Sequence, residues 1–344
     1  MNFKSDNVTG AAPAILAALG RANAGTLPSY GEDEITRRVE TRLGEIFETE
    51  VAAFPVATGS AANSLALAEL APPWGAIYCH PVSHIITDEC GAPEFFTAGA
   101  KLVPVNGPDG KFTAAALKAA IMGAGVVHHV QPAAVSISQV TEAGTIYSID
   151  DIKAISAVAR DAGLGVHMDG ARFANALVAL GCRPADMTWR GGVDVLSFGA
   201  TKNGALAAEA VVFFDRAKAG NFTYRRKRGG HLFSKMRFLS AQLDAYLADD
   251  LWLANARHAN RMASILAEGL ARVPGATMTH PAQANEVFPC LPEPVITGLE
   301  AAGFQFYRWS GRTVRLVTAF DTKEADARAL VAKATELARA AAAD

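Results

Sequence analysis

Residues 165–204 read GVHMDGARFANALVALGCRPADMTWRGGVDVLSFGATKNG. This stretch contains two apolar runs, Gly165–Met168 and Val193–Phe198, and each run predicts a short buried strand. Asp169 follows the first run at once, and Lys202 lies a few residues beyond the second. Open α/β sheets present their chemistry at the carboxyl ends of the strands. We therefore expect this carboxylate and this amine to meet at one edge of a sheet.

Two interpretations of the pair are open. A lysine at such an edge can form a Schiff base with a carbonyl cofactor, and an aspartate can keep a pyridine nitrogen protonated. Alternatively, Asp169 caps a helix and Lys202 is a solvated surface charge. Each residue taken alone favours the second interpretation, so the rest of the chain has to decide between them.

Outside this stretch, strands and helices alternate. Predicted strands cover Ala76–Cys79, Lys101–Val105, Ala133–Ser138 and Ala210–Phe214, and predicted helices cover Ala12–Ala22, Glu34–Phe47 and Thr113–Met122. Ser148 and Asp151 form a capping-box pattern that opens a further helix. The alternation predicts an α/β fold with a mostly parallel central sheet and helices on both faces.

The pattern changes towards the C-terminus. A long helical region is predicted from Met236 to Val273. After it, predicted strands at Glu286–Cys290, Phe304–Trp309 and Thr313–Val317 alternate with predicted helices at Glu293–Ala302 and Lys323–Ala342. We expect an N-terminal arm over residues 1–35, a large α/β domain over 36–245 and a smaller C-terminal α+β domain over 246–344.

The composition is that of an ordinary soluble globular protein, with 344 residues, 50% hydrophobic residues and a formal net charge of −2. The single basic cluster, residues 225–228, is more typical of a solvated loop or an anion site than of a nucleic-acid surface. Neither a signal peptide nor an apolar run of membrane-spanning length is present. The four cysteines form no CxxC pair, so we expect no metal site, free buried thiols and a cytoplasmic protein.

Three further places are candidates for ligand binding. The turn Thr58-Gly59-Ser60 opens a helix, so its backbone N–H groups can hold an anion or simply begin the helix. His84 and Glu89 lie beyond a predicted strand, although a lone histidine is more often structural. Arg315 interrupts the apolar run TVRLV, so it either meets a carboxylate or lays its stem along the surface with its head in water.

Six segments then occur in a recognisable order: SDNVTG, YGEDE, TGSAANSLAL, SHIITDECGAPEFF, HMDGARFANA and SFGATKNG. Together with the 33-residue spacing of Asp169 and Lys202, they resemble the pyridoxal-phosphate-dependent threonine aldolases, which have the fold type I, aspartate-aminotransferase-like architecture. The segments DECGAPEFF and FGATKNG are most similar to the bacterial low-specificity L-threonine aldolases. The resemblance covers nearly the whole chain.

The resemblance implies roles for the matching positions around the cofactor. Lys202 would carry the Schiff base, Asp169 would pair with the pyridine nitrogen, and His84 would stack on the ring. The residues at the turn that opens the helix, Thr58, Gly59 and Ser60, would hold the phosphate. Glu89 would lie near the cofactor.

Further roles concern the substrate and a neighbouring subunit. Arg172 would lie beside the phenolic oxygen of the cofactor and bind the substrate carboxylate with Ser5 and Arg315. His128 matches a histidine near the β-hydroxyl of the substrate, so His84 or His128 is expected to take its proton. The resemblance also implies a homodimer with shared active sites, and more specifically a tetramer, in which Tyr30 and Lys227 reach the neighbour's site, Lys227 towards the phosphate.

The implied reaction is retro-aldol cleavage of L-threonine, L-allo-threonine or another β-hydroxy-α-amino acid such as phenylserine to glycine and an aldehyde. Other fold type I activities stay open, namely a β-eliminating lyase, a racemase or an aminotransferase, as does an idle homologue that only binds. Two departures affect substrate preference. Val140-Thr141-Glu142 stands where many family members carry Asn-Thr-His, and Thr201 and Asn203 flank Lys202 instead of the serine and glycine of another branch.

Overall fold

Seven strands build the central sheet of the computed structural model, which describes residues 1–342. They are β1 (Ala52–Val56), β2 (Gly75–Cys79), β3 (Lys101–Pro104), β4 (Gln131–Ser138), β5 (Gly165–Gly170), β6 (Val195–Gly199) and β7 (Glu209–Phe213). Their order across the sheet is β1-β7-β6-β5-β4-β2-β3. Only β7 runs antiparallel to its neighbours, and the pairs from β6 to β3 are parallel. The predicted mostly parallel sheet is confirmed.

Fourteen α-helices accompany the strands in the described residues. They are α1 (Pro13–Ala22), α2 (Glu34–Phe47), α3 (Gly59–Leu70), α4 (His84–Thr87), α5 (Ala92–Phe96), α6 (Ala114–Ala120), α7 (Ile149–Asp161), α8 (Phe173–Leu180), α9 (Pro184–Met187), α10 (Phe222–Arg228), α11 (Arg237–Leu247), α12 (Leu251–Leu270), α13 (Glu293–Ala301) and α14 (Glu324–Ala341). Local chemistry explains several boundaries. Ser148 and Asp151 form the predicted capping box of α7, and Asp33 caps α2 through the backbone N–H of Thr36.

Both faces of the sheet are covered, because successive side chains of a strand point to opposite sides. Tyr78 joins the largest apolar cluster, whereas its neighbours Ile77 and Cys79 join a second cluster. Helix α3 is buried along most of its length and packs on the second side of the sheet, against β5, β6 and β7. Its apolar, Ala- and Leu-rich sequence suits this position because no side of it needs a polar face.

The C-terminal part has a smaller sheet and its own apolar cluster. Its strands are β8 (Thr277–Met278), β9 (Glu286–Val287), β10 (Pro289–Cys290), β11 (Tyr307–Ser310) and β12 (Thr313–Val317). Phe3, from the N-terminal segment, is fully buried in this cluster, and its backbone N–H donates to the carbonyl of Gln305 at 2.7 Å. The start of the predicted arm therefore packs on the C-terminal part of its own chain, whereas its helix α1 packs on α11.

Two sequence predictions need correction. The helical region expected from Met236 to Val273 is two helices, because Asp249 and Asp250 adopt positive φ angles of 51° and 55° between α11 and α12. A left-handed residue cannot continue the α-helical hydrogen-bond ladder. The strand expected over Glu286–Cys290 is likewise two short strands, β9 and β10, which pair with different stretches of the small sheet.

Helix α12 contributes to both apolar clusters, with Trp252 and Ala256 on the large one and Leu266 and Leu270 on the small one. The predicted domain limits at 35/36 and 245/246 stay predictions. Within residues 1–342 the cysteines are free as expected, but only Cys79 is buried and Cys90 is exposed. No helix among these residues has the length and apolarity needed to cross a membrane.

Candidate active site

A cavity of about 610 Å³ opens at the carboxyl ends of β5 and β6. Asp169 is the penultimate residue of β5, and Lys202 lies in a 3-10 turn (Thr201–Asn203) that begins one residue after β6. Both line this first chamber, together with the predicted residues Thr58, Gly59, Ser60, His84 and Glu89. The parallel pairing of β5 and β6 brings the two strand ends together, so the edge of the sheet carries both charges.

Hydrogen bonds fix the Asp169 carboxylate. One oxygen accepts from the Nδ2 of Asn63 at 2.8 Å, and the other accepts from the backbone N–H of Ala171 at 3.0 Å. The side chain of Asn63 also donates to Oε1 of Glu89 at 2.8 Å. Sequence reasoning missed Asn63, although an asparagine within the apolar helix ANSLALAEL was a usable signal because buried amides require partners.

Glu89 connects this network to His84, whose Nδ1 lies 2.9 Å from Oε1 of Glu89. The hydrogen bond that His84 makes to the Glu89 carboxylate raises the pKa of His84, and the nearby carboxylates of Glu142 and Asp169 act in the same direction. Burial raises the pKa of Glu89 itself. The chain of contacts from His84 through Glu89 and Asn63 to Asp169 thus forms one wall of the chamber.

The N-terminus of α3 forms another wall. The Thr58 hydroxyl caps the helix by accepting from the backbone N–H of Ala61 at 3.2 Å. A Cβ built on Gly59 would meet no protein atom within 4 Å. The space in front of this helix end therefore suits an anionic group, which the helix dipole and the free N–H groups would stabilise.

The turn that carries Lys202 is held by buried polar contacts. The backbone N–H of Ala200 donates to Oε2 of Glu209 at 2.8 Å, and the side chain of Asn203 donates to the hydroxyl of Tyr246 at 2.7 Å. Burial raises the pKa of Glu209 to about 7. Sequence reasoning also missed Glu209. A single glutamate at the start of an apolar strand does not indicate a contact with the turn that carries Lys202.

A second chamber of about 510 Å³ adjoins the first, and His84, Glu142 and Lys202 line both. Its wall includes the predicted carboxylate ligands Ser5, Arg172 and Arg315. The guanidinium of Arg315 lies 5.2 Å from the ring centre of Tyr307 and 5.0 Å from that of Trp309, and its Nε is buried without a hydrogen-bond partner among the described residues. Such a preorganised cation is suited to a carboxylate ligand.

Arg172 is more strongly engaged than the sequence suggested. It is buried, its Nε donates to Oδ2 of Asp6 at 2.7 Å, and its Nη1 lies 3.1 Å from Oε2 of Glu286. Burial by itself would lower the pKa of Arg172 and raise the pKa of Asp6. The pairing of the two charges outweighs burial, so the pKa of Arg172 is raised and that of Asp6 is lowered. Asp6 and Glu286, which sequence reasoning missed, thereby fix the orientation of this guanidinium.

Three predicted residues are outside both chambers of their own chain. His128 is exposed in the segment after α6. Tyr30 is 46% exposed, and the Nζ of Lys227 lies 4.9 Å from the centre of its ring. The structure therefore brings Tyr30 and Lys227 together, but it does not bring these residues or His128 into the cleft of the same chain.

The residues of the first chamber fit pyridoxal phosphate. Asp169 supplies a buried carboxylate for a pyridinium nitrogen, Lys202 supplies an amine for the carbonyl, and the N-terminus of α3 supplies donors for the phosphate. The open space at Gly59 leaves room for that phosphate.

Comparison with known proteins agrees with this geometry. The family described as beta-eliminating lyase matches residues 2–291. A low-specificity L-threonine aldolase from Pseudomonas aeruginosa is 46% identical over 321 residues, which cover 93% of each chain. The chain belongs to the threonine aldolases of the beta-eliminating lyase family. These threonine aldolases are pyridoxal-phosphate enzymes, as the sequence resemblance implied.

Solved structures confirm the predicted fold. A threonine aldolase from Leishmania major superposes with a TM-score of 0.92 at 30% identity, covering 98% of this chain and 99% of that one. An aspartate aminotransferase from Rhodobacter sphaeroides superposes with a TM-score of 0.68 at 18% identity, covering 98% of this chain and 93% of that one. This second likeness concerns the fold alone, and it agrees with the fold type I architecture.

Proposed function

We propose that the chain cleaves L-threonine, L-allo-threonine and other β-hydroxy-α-amino acids, phenylserine among them, to glycine and an aldehyde with pyridoxal phosphate. One observation carries the proposal. The chamber with Asp169 and Lys202 opens into a chamber whose wall carries Arg172 and Arg315. A substrate can therefore place its amino group at the cofactor and its carboxylate at the arginines at the same time.

Different residues of the chain would hold different parts of the cofactor. Bound pyridoxal phosphate supplies the electron sink for negative charge at the α-carbon. Asp169 would hold the pyridine nitrogen in its protonated form, and its two hydrogen bonds keep the carboxylate in place for this contact. Lys202 would supply the amine that binds the cofactor carbonyl. The N–H groups at the start of α3 would hold the phosphate.

Orientation of the substrate follows from the second chamber. A fixed carboxylate would hold the substrate in one orientation within the cleft. The Nε of Arg315 has no hydrogen-bond partner among the described residues, its Nη2 donates to the carbonyl of Lys4 at 3.3 Å, and Arg172 is held by Asp6 and Glu286. These two cations and Ser5 are the proposed carboxylate site.

β-Elimination is the second candidate, and the description of the matching family favours it. It requires the same lysine and aspartate but releases the β-substituent rather than an aldehyde. Racemisation and transamination also use both residues. An idle homologue is disfavoured because the whole set of Lys202, Asp169, Arg172 and Arg315 lines one cleft.

Product analysis tests the proposal. The purified holoenzyme is incubated with L-threonine, L-allo-threonine and L-serine, and acetaldehyde, glycine, pyruvate and ammonia are measured. We expect acetaldehyde and glycine in equal amounts, and we expect Lys202→Ala to lose both the activity and the visible absorbance of the bound cofactor. Ammonia with pyruvate from L-serine, or with 2-oxobutanoate from the two threonines, and no aldehyde would establish β-elimination instead.

We further propose a cytoplasmic homo-oligomer, at least a dimer and most simply a tetramer, in which Tyr30 and Lys227 reach a neighbouring active site. The support is their joint exposed position outside the chambers of their own chain. Mixing inactive Lys202→Ala with inactive Lys227→Ala protein after dissociation should restore part of the activity. No recovery in the mixed dimers, shown by sedimentation to have formed, would contradict shared sites.

A further inference from the structure

Glu142 stands at the junction of the two chambers. It is one of the few side chains that line both, with His84 and Lys202 among the others. Glu142 is half-buried, and its carboxylate makes no hydrogen bond or ion pair with another of the residues 1–342. A carboxylate in a cleft is stabilised by donors, so this one is available to a donor on the substrate.

The backbone that carries Glu142 is firmly held. The N–H of Thr141 donates to the carbonyl of Thr145 at 2.9 Å, and the N–H of Gly144 donates to the carbonyl of Thr141 at 2.9 Å. The Thr145 hydroxyl donates to the carbonyl of Asp109 at 2.6 Å. The turn therefore fixes Glu142 just beyond the carboxyl end of β4, whose last residue pairs with Asp169 of β5.

The charges around Glu142 suit a carboxylate that receives a proton. Glu142 is close enough to His84 and Arg172 to help raise the pKa of each. The hydrogen bond with Glu89 acts more strongly on His84. Burial lowers the pKa of Arg172, and Asp6 and Glu286 raise it more strongly than Glu142 does. The raised pKa of His84 favours its charged form, in which both ring nitrogens are donors. Within the cleft, the free carboxylate of Glu142 is then the better acceptor.

We propose, on the basis of the function proposed above, that Glu142 accepts the proton of the substrate β-hydroxyl. The O–H bond breaks and the proton moves to the Glu142 carboxylate. The released electron pair of the oxygen forms the C=O bond of the aldehyde, and the Cα–Cβ pair stays with the glycine fragment. His84 then contacts the cofactor ring without serving as the base.

Glu142→Gln tests this assignment because it removes the basicity and keeps the size. We expect kcat for L-threonine to fall by about 10²–10⁴-fold. Glycine has no β-hydroxyl, so the Kd for glycine, measured from the change in cofactor absorbance, should stay within twofold of wild type. Glu142→Asp should retain more activity than Glu142→Gln. Glu45→Gln, an exposed change in α2, is the matched control.

The outcomes separate the two proposals. If kcat of Glu142→Gln stays within threefold of the wild-type value, the assignment of Glu142 is overturned. A glycine affinity that falls in parallel with kcat also overturns it, because that result indicates a structural role. In both cases the aldolase function itself survives. If the wild-type holoenzyme releases no aldehyde from any β-hydroxy amino acid, the proposed function fails first, and the assignment of Glu142 fails with it.

Discussion

Glu209 is a buried carboxylate on the wall of the first chamber, where it accepts a hydrogen bond from Ala200 beside the lysine turn. Burial raises its pKa from 4.5 to about 7. The folded state then binds a proton more tightly than the unfolded chain does. The resulting stabilisation is complete below about pH 4.5 and is lost as the pH rises through about 7.

Glu209→Gln should remove this pH dependence, because a glutamine oxygen can still accept from Ala200 but carries no titrating proton. The free energy of unfolding of the cofactor-free protein is measured with urea. Relative to wild type, that of the variant should increase by up to about 3 kcal/mol between pH 4.5 and pH 8. The exposed variant Glu45→Gln should show no such gain. A difference between wild type and Glu209→Gln that is the same at every pH would argue against a raised pKa.

At the scale of the element, the N-terminus of α3 is the proposed phosphate site. Gly59 occupies its first turn, and a Cβ added there meets no protein atom within 4 Å. Gly59→Ala should therefore leave the cofactor-free fold intact or stabilise it by up to about 1 kcal/mol. The Kd for pyridoxal phosphate should rise at least about tenfold, a loss of about 1.4 kcal/mol, because the methyl group occupies space at the helix end.

The measurement is a fluorescence titration of the cofactor-free protein with pyridoxal phosphate, accompanied by thermal unfolding. Gly20→Ala, an exposed change in α1 with equally open space, is the matched control and should alter neither quantity beyond the helix-propensity effect. An unchanged cofactor affinity in Gly59→Ala would place the phosphate away from this helix end.

At the scale of the whole molecule, the N-terminal segment connects the two sheets. Phe3 is fully buried in the apolar cluster of the small sheet, and Asp6 accepts from Arg172 after β5 and from Asn285 before β9. The segment therefore links the packing of the small sheet to the orientation of the carboxylate-binding arginine. Loss of its anchor should affect stability and substrate binding together.

Phe3→Ala should reduce the free energy of unfolding by about 3–5 kcal/mol, because it removes a buried ring and leaves a cavity. It should also raise KM for L-threonine, since Arg172 loses a firmly placed partner in Asp6. Urea unfolding and steady-state kinetics measure the two effects. Val8→Ala, which shortens a side chain that is 46% exposed in the same segment, should change stability by less than about 0.5 kcal/mol. Equal decreases in the free energy of unfolding of Phe3→Ala and Val8→Ala would contradict the anchoring role of Phe3.

The sequence by itself determined the local elements and the identity of the central pair. Helix α2 follows the predicted span Glu34–Phe47 because its apolar residues recur with the helical period, and α7 begins at the predicted capping box. Asp169 and Lys202 each follow an apolar run, and neighbouring parallel strands place such residues at one edge of a sheet. These features depend on a few consecutive residues and on a general rule of sheet topology.

Only the tertiary structure decided which distant groups meet. Asn63 joins Glu89 and Asp169, Arg172 pairs with Asp6 across 166 positions of sequence, and Glu142 lies between two chambers. Packing also kept His128 out of the cleft of its own chain. Contacts of this kind depend on how helices and sheets pack over long sequence separations. These contacts cannot be predicted from periodicity, helix caps or residue spacing, because the local sequence around each residue is compatible with many partners.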